Sequence, residues 1–313
     1  MKKKIHFLSL ILSVLMLMGV CSSCDLFKQD IPKTNDSDGG DEMTVQNETM
    51  DNDATIKSFE TTLMSFNIKT NNHPGVREDE VAALIVKYGA SIVCMQEVQK
   101  EQVDHLSQKL PSNYELVWYS RDTANGEGLG IAYDGNVWSL MSSDCFWLSE
   151  TPNVKSKGWG ASYYRICVRV LLKHNETDEK LNVFDVHLDH QVEAARNNGM
   201  KLILKRVADS IYPCFVAGDF NTGDDGAAYL YTAERLQDCR KVAPDSDSGA
   251  TFQNWGAVAD DKDTSMIDFC FVSRDVITPS VFKICRDKYG ENNDQFISDH
   301  YAICTTVTIW YKE

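Results

Sequence analysis

The chain is poor in positive charge, in long apolar runs and in paired thiols. Against 46 acids stand 31 lysines and arginines, a formal net charge of −15 over 313 residues. Proteins that grip nucleic acid through its phosphate backbone carry an excess of base, so that class is disfavoured and only a local basic pocket stays open. The apolar run from Ile5 to Val20 is short of the roughly 20 residues that a helical membrane span needs. Past Cys24 there is no Cys-x-x-Cys pair, which argues against a zinc–thiolate site. No internal repeat divides the chain. What remains, 43% hydrophobic and 25% charged side chains, is ordinary globular composition, long enough for one large α/β domain or two small ones.

The N-terminus reads differently from the rest. Lys2, Lys3 and Lys4 precede the apolar run, the pattern of a signal peptide over residues 1–23. Its end, "MGVCSSCD", resembles the lipobox of bacterial lipoproteins, with Cys24 as the lipidated residue. Ser22 and Ser23 before it are small, whereas Val20 before Cys21 is bulky; an ordinary secretory signal is the alternative. Residues 24–60 read as an acidic tether: from Asp25 to Glu60 ten acids face three bases, with too little apolar surface to order the segment. The expectation is an exported, lipid-anchored outer-membrane protein, on the periplasmic or cell-surface face, touching membrane only through its anchor.

Residues 61–313 form the expected domain, itself acidic, with 36 acids against 25 bases. Strand-like runs are "TTLMSFNI", "SIVCMQEV", "YELVWYS", "LGIAYD", "VWSLMSSDCFWL", "YYRICVRVLLK", "LNVFDVHLD", "CFVAGDF", "MIDFCFVS", "SVFKIC" and "YAICTTVTIW". Helical periodicity covers Val76–Tyr88, Gln99–Leu110 and Glu193–Ile211. Cys94, Cys167, Cys214, Cys270 and Cys304 lie in apolar runs as small buried hydrophobes, while Cys145, Cys239 and Cys285 are left open to pairing. Early alternation of helix and strand, then a β-rich middle, suggests a four-layer α-β-β-α sandwich: two mixed sheets face to face with helices outside.

The chemistry is in the strand ends. Asn67, Glu97, His187, Asp219 with Asn221, and Asp268 each follow an apolar strand-like run, and Asp299 with His300 precede the last one. Asp219 and Asn221, two residues apart, would share one face of an extended segment. Carboxylates, carboxamides and imidazoles without thiolates form a hard ligand set that favours Mg²⁺ or Mn²⁺, and a weakly caged divalent ion suits phosphoryl chemistry.

Taken together and in order, "SFNIK", "MQEV", "VHLDH", "GDFNTG", "MIDFCFV" and "SDHY" resemble the endonuclease/exonuclease/phosphatase superfamily of metal-dependent phosphoesterases, over Thr61 to Lys312. "FWLSETP", "SKGWG" and "RICVRV" place the likeness in a bacterial branch nearer the deadenylase-like and nocturnin-like members. Lys69 stands where the DNA-repair members carry a metal-binding Asp, which puts a second metal in doubt. The resemblance implies Glu97 as the principal Mg²⁺ ligand with Asn67 beside it and Asp299 among the metal-proximal acids. It implies Asp219 orienting or deprotonating water, Asn221 holding that water or a phosphate oxygen, His300 oriented by Asp268 and contacting the phosphoryl group, and His187 as a second donor to phosphate.

Arg165 and Arg121 are candidate phosphate forks, His190 a rim residue, and Trp147, Trp159, Tyr163 and Tyr164 an aromatic cluster that could stack a base or sugar, with core filling as the alternative. The expected enzyme is a monomeric Mg²⁺-dependent (or Mn²⁺-dependent) hydrolase of a phosphate ester or phosphodiester, by metal-assisted attack of water, its substrate a small phosphorylated or nucleotide-like molecule in preference to long nucleic acid. The alternatives are a non-catalytic binding protein on the same scaffold and a sphingomyelinase-like phospholipid hydrolase.

Overall fold

The computed structural model describes residues 55–70 and 76–313. The signal peptide, Cys24 and most of the tether lie outside the described residues. The strand β1 (Ile56–Asn67) begins earlier than the expected domain edge, with Ile56 already paired to Lys312. Phe59 accounts for this: its ring stacks on His174 at 3.8 Å and meets the buried Trp138 at 5.9 Å, so residues 56–60 have a reason to order.

Then follow α1 (Val76–Lys87), β2 (Ile92–Gln99), α2 (Lys100–Lys109), β3 (Tyr114–Ser120), β4 (Glu127–Asp134), β5 (Trp138–Trp147), β6 (Ile166–His174) and β7 (Lys180–His187). The second half runs through α3 (Glu193–Ala208), β8 (Cys214–Asp219), α4 (Ala227–Arg235), β9 (Gln237–Asp238), α5 (Cys239–Val242) and β10 (Asp245–Ser246). It closes with β11 (Asp268–Val272), β12 (Ile277–Cys285), the small hairpin β13 (Lys288–Tyr289) and β14 (Gln295–Phe296), and β15 (Ala302–Lys312). Helix α3 stops short of the expected Ile211, which is 86% exposed: the stripe of Met200, Ile203 and Leu204 is buried, and nothing remains beyond it for a further turn to cover.

One mixed sheet has the order β10-β12-β15-β1-β2-β4-β3 and the other β5-β6-β7-β8-β11-β9. Period-two alternation sorts their side chains into layers. On β1 and β2, Leu63, Ile92 and Cys94 join the core between the sheets, while Met64, Phe66, Val93 and Met95 pack with Leu84 and Ile85 of α1 and Leu106 of α2. Helix α3 covers the other sheet from outside with Met200, Ile203 and Leu204. This is the α-β-β-α sandwich. All eight cysteines among the described residues are free thiols, seven of them buried, so the pairing left open for Cys145, Cys239 and Cys285 is not made.

Candidate active site

The site is built from one row of residues across the second sheet. In register, His187 of β7 lies beside Asp219 of β8, and Asp219 lies beside Asp268 of β11. Neighbouring strands run about 4.8 Å apart, so three polar side chains arrive side by side. Gly218, one position before Asp219, is needed for this closeness. Its φ is +147°, and a Cβ there would sit 1.9 Å from the Val186 carbonyl oxygen. The chain turns directly after Asp219: its Oδ1 accepts the Asn221 amide at 2.9 Å, and Asn221, at φ +51°, donates its Nδ2 to the Leu188 carbonyl at 3.1 Å. The extended segment expected through Asn221 therefore ends at Asp219, yet both residues still reach the same cavity because the Asx-type turn folds Asn221 back.

The first sheet supplies Asn67 and Glu97. Gln96 pairs with Leu129 and Val98 with Gly128, so Glu97 is the extra residue of a β-bulge, at φ +57°. Strict alternation would have aimed Glu97 at the helices with Val93 and Met95; the bulge turns it to the cavity and returns Val98 to the helix side. Asn67, fully buried, donates its Nδ2 to Asp219 Oδ2 at 3.1 Å and to Glu97 Oε1 at 3.2 Å, linking the two sheets at the site. Lys69 (φ +60°), Glu97 and Asn221 are left-handed non-glycine residues gathered at one cavity, a concentration of strain typical of functional sites. The Lys69 ammonium lies 3.2 Å from Glu97 and 3.3 Å from Asp299.

The two imidazoles are held in opposite states. His300 is buried, which lowers its pKa, but the charge of Asp268 and its hydrogen bond to Nδ1 at 2.9 Å, with Asp219 and Asp299 nearby, outweigh burial and raise it to about 9. His187, 3.4 Å from Asp219, is driven well below the usual histidine range by burial and by Arg165 and Arg121. Burial and the neighbouring Asp268 push the Asp219 carboxyl up, while Lys69, Asn67 and His300 outweigh the burial of Glu97 and hold its carboxyl down. Pairs of titratable groups pushed apart in this way mark acid–base roles.

Ligand atoms of Asp219, Asp268 and His300 lie within 4.8 Å of one another, but a protonated His300 has no lone pair for a metal, so these three form an acid–base cluster. The hard carboxylates of Glu97 and Asp299 at the neighbouring side of the cavity fit a divalent cation. The Lys69 ammonium bridging Glu97 and Asp299 shows independently that this side of the cavity is electrostatically arranged for positive charge.

The cavity has a volume of about 430 Å³. Glu97, His187, Asp219, Asn221, Asp299 and His300 line it as expected, and Asn67 and Asp268 lie buried beneath as supports. Arg165, Arg121 and His190 form its wall. Arg165 is buried, with one terminal nitrogen 3.3 Å from His190 Nδ1 and its Nε, without a hydrogen bond, 4.0 Å from Asp189 Oδ2. Trp147 and Trp159 do not line the cavity, which corrects their expected substrate contact. Trp147 spends its Nε1–H on the Arg121 carbonyl at 3.3 Å and so braces the wall from behind, while Trp159, half-buried, packs against the core. Of the aromatic cluster only Tyr163 lines the cavity. Glu127, Phe252 and Ile267 escaped the sequence reading. Glu127 opens a strand after an Asn-Gly turn, a weak signal, and Phe252 reaches His300, ring centroids 5.0 Å apart, through an isolated bridge that no sequence pattern announces.

Two facing mixed sheets with acids and imidazoles converging on one cavity define the α/β-sandwich class of phosphoester hydrolases. The sequence profile of the Endonuclease/Exonuclease/phosphatase family matches residues 64–300, and the chain belongs to that family, whose members are divalent-metal-dependent phosphoesterases and nucleases. Among solved structures, a family protein from Bacteroides thetaiotaomicron superposes with a TM-score of 0.75 at 24% identity, over 82% of this chain and 97% of that one. The mannosyl-6-phosphatase Bt3783 of the same organism gives 0.73 at 25%, over 79% and 99%. The D. rerio TDP2 complex with a single-strand DNA product gives 0.65 at 15%, over 79% and 98%, a likeness of fold alone. An uncharacterized protein, L388, of Acanthamoeba polyphaga mimivirus is 30% identical over 158 residues, 47% of this chain; the match spans 59% of the viral protein, less than two thirds of its length.

Proposed function

We propose that the protein hydrolyses a small phosphorylated substrate, a sugar-phosphate-like monoester in preference to long nucleic acid, with Mg²⁺ or Mn²⁺. The observation that carries this reading is the convergence of Glu97, Asp219 and His300 on one cavity, tied together through Asn67. Glu97, with Asn67 and Asp299 beside it, would hold the ion, which when bound offsets charge developing on the phosphoryl oxygens. Asp219, its basicity raised by burial, takes the proton of the attacking water, and Asn221 holds that water in place. The His300 imidazolium, oriented by Asp268, donates from Nε2 to a phosphoryl oxygen, and neutral His187 adds a hydrogen bond. Arg165 offers its guanidinium to the phosphate.

A cavity of about 430 Å³ suits a monosaccharide-sized ligand. The likeness to the mannosyl-6-phosphatase and the acidity of the domain favour the same substrate class. The test is the full chain with Mg²⁺ or Mn²⁺ against sugar phosphates, nucleotides, diesters, oligonucleotides and phospholipid vesicles. Turnover of a small phosphomonoester that disappears in Glu97→Ala and His300→Ala supports the reading; turnover of none, or turnover indifferent to both substitutions, ends it.

Export and anchoring through Cys24 belong to the same proposal. No helix among the described residues is long and apolar enough to cross a membrane. Loss of detergent-phase partitioning in Cys24→Ala is the expected result.

A further inference from the structure

The cavity holds a charge that phosphate chemistry does not use. Phosphate needs cations and donors, and Arg165, His300, His187 and Lys69 supply them. Glu127, the first residue of β4, also lines the cavity, and its carboxylate would repel a phosphate placed against it. Arg121 engages one of its oxygens, Oε2, at 2.8 Å. Burial, with Glu97 nearby, raises the Glu127 carboxyl despite Arg121, so the group is costly where it stands. Arg121 in turn lies over the face of Tyr163 at 5.1 Å, and Tyr163, 45% exposed, meets His190 at 5.5 Å. This arm of the cavity thus offers an anionic acceptor, a planar array of donors and one half-exposed aromatic ring.

An ammonium ligand would meet Arg121 and be repelled. A neutral group rich in hydroxyls can donate to Glu127, accept from Arg121 and lay its C–H face on Tyr163. We propose that Arg121, Glu127 and Tyr163 form a subsite for the hydroxyl groups of a polyol or sugar whose phosphate is cut at the Asp219 end of the cavity. This rests on the phosphoesterase reading of the same site.

The test compares a hexose 6-phosphate with p-nitrophenyl phosphate, which presents no hydroxyls, in wild type and Glu127→Gln, and measures calorimetric binding of the hexose phosphate and of inorganic phosphate to both. Glu127→Gln removes the charge and exchanges one accepting oxygen for an NH₂ donor, and a site built to hydrogen-bond hydroxyls loses much of its discrimination when an acceptor becomes a donor. The expected result is that Glu127→Gln lowers kcat/KM for the hexose phosphate about 10-fold or more beyond its effect on p-nitrophenyl phosphate, mainly through KM. Hexose phosphate binding should weaken while inorganic phosphate binding holds. A Tyr163→Ala variant should move the same ratio in the same direction. Equal effects on both esters, with hydrolysis intact, overturn the subsite and leave the phosphoesterase reading standing. Glu127-dependent binding of the hexose phosphate without turnover of either ester supports the subsite and removes the phosphoesterase reading.

Discussion

The floor of the cavity and its Arg121 arm are made in different ways. On the floor, Asn67, Asp219, Asp268 and His300 are buried, each tied to others in the group, and their positions follow from strand register and one bulge. On the arm, Arg121, Glu127 and Tyr163 are longer side chains, partly exposed, that hold one another through an ion pair and a cation–π contact. The contrast separates two duties. On the proposed reading, chemistry is placed by backbone and resists small change, whereas recognition is placed by side-chain ends, which can be exchanged without disturbing the sheets.

Substitutions should respect that division. The largest effect is expected on the floor, where Glu97→Ala or His300→Ala should cost about 10³-fold or more in kcat/KM, measured on the phosphate ester that the wild type turns over best. A chelator should abolish activity to a similar extent, with recovery on adding Mg²⁺ or Mn²⁺; retention of activity after exhaustive chelation would erase the metal's part in the floor. Next comes the backbone itself: Gly218→Ala should lower unfolding free energy by about 3 kcal/mol or more, since the new methyl must displace the Val186 carbonyl. Equilibrium urea unfolding reads this directly.

A pH profile probes the floor more gently. Because the His300 pKa is raised to about 9, the imidazolium persists below that pH, and activity should fall as pH rises through it. Asp268→Asn removes the principal raising influence and leaves burial, which lowers, opposed only by Asp219 and Asp299, so the alkaline limb should move down by about 1–3 pH units. An unmoved limb would mean that some other group titrates there. The smallest effect belongs behind the arm: Trp159→Phe should change kcat/KM by less than about 2-fold, because the ring packs into the core and is absent from the cavity lining. A large loss there would dissolve the boundary between wall and brace.

Legibility in the sequence follows the same line. Short apolar runs ending in Asn, Glu, His or Asp marked nearly every floor residue, since a polar group at a buried strand end needs a partner or a site, although Asp185 within β7 shows that a buried hydrogen bond to Gln96 can suffice. The layer order followed from alternation of helix and strand. The bulge at Glu97 was invisible, because one extra residue in a strand leaves no compositional trace, and the early start of β1 was hidden by the acidity of the residues preceding Phe59. The arm was half legible. Arginines near a phosphate site are easily suspected, but which tryptophans face the cavity depends on strand twist and loop path, and Trp147 and Trp159 turned inward where Tyr163 did not.

The single row that carries His187, Asp219 and Asp268 has a final consequence. Spacing between those groups is inherited from the pitch of the sheet, so it cannot drift by a fraction of an ångström as a loop-borne constellation can. Exchange of side chains at the mouth leaves that spacing untouched, so it is kept whole or lost with the sheet, like the tooth of a gear.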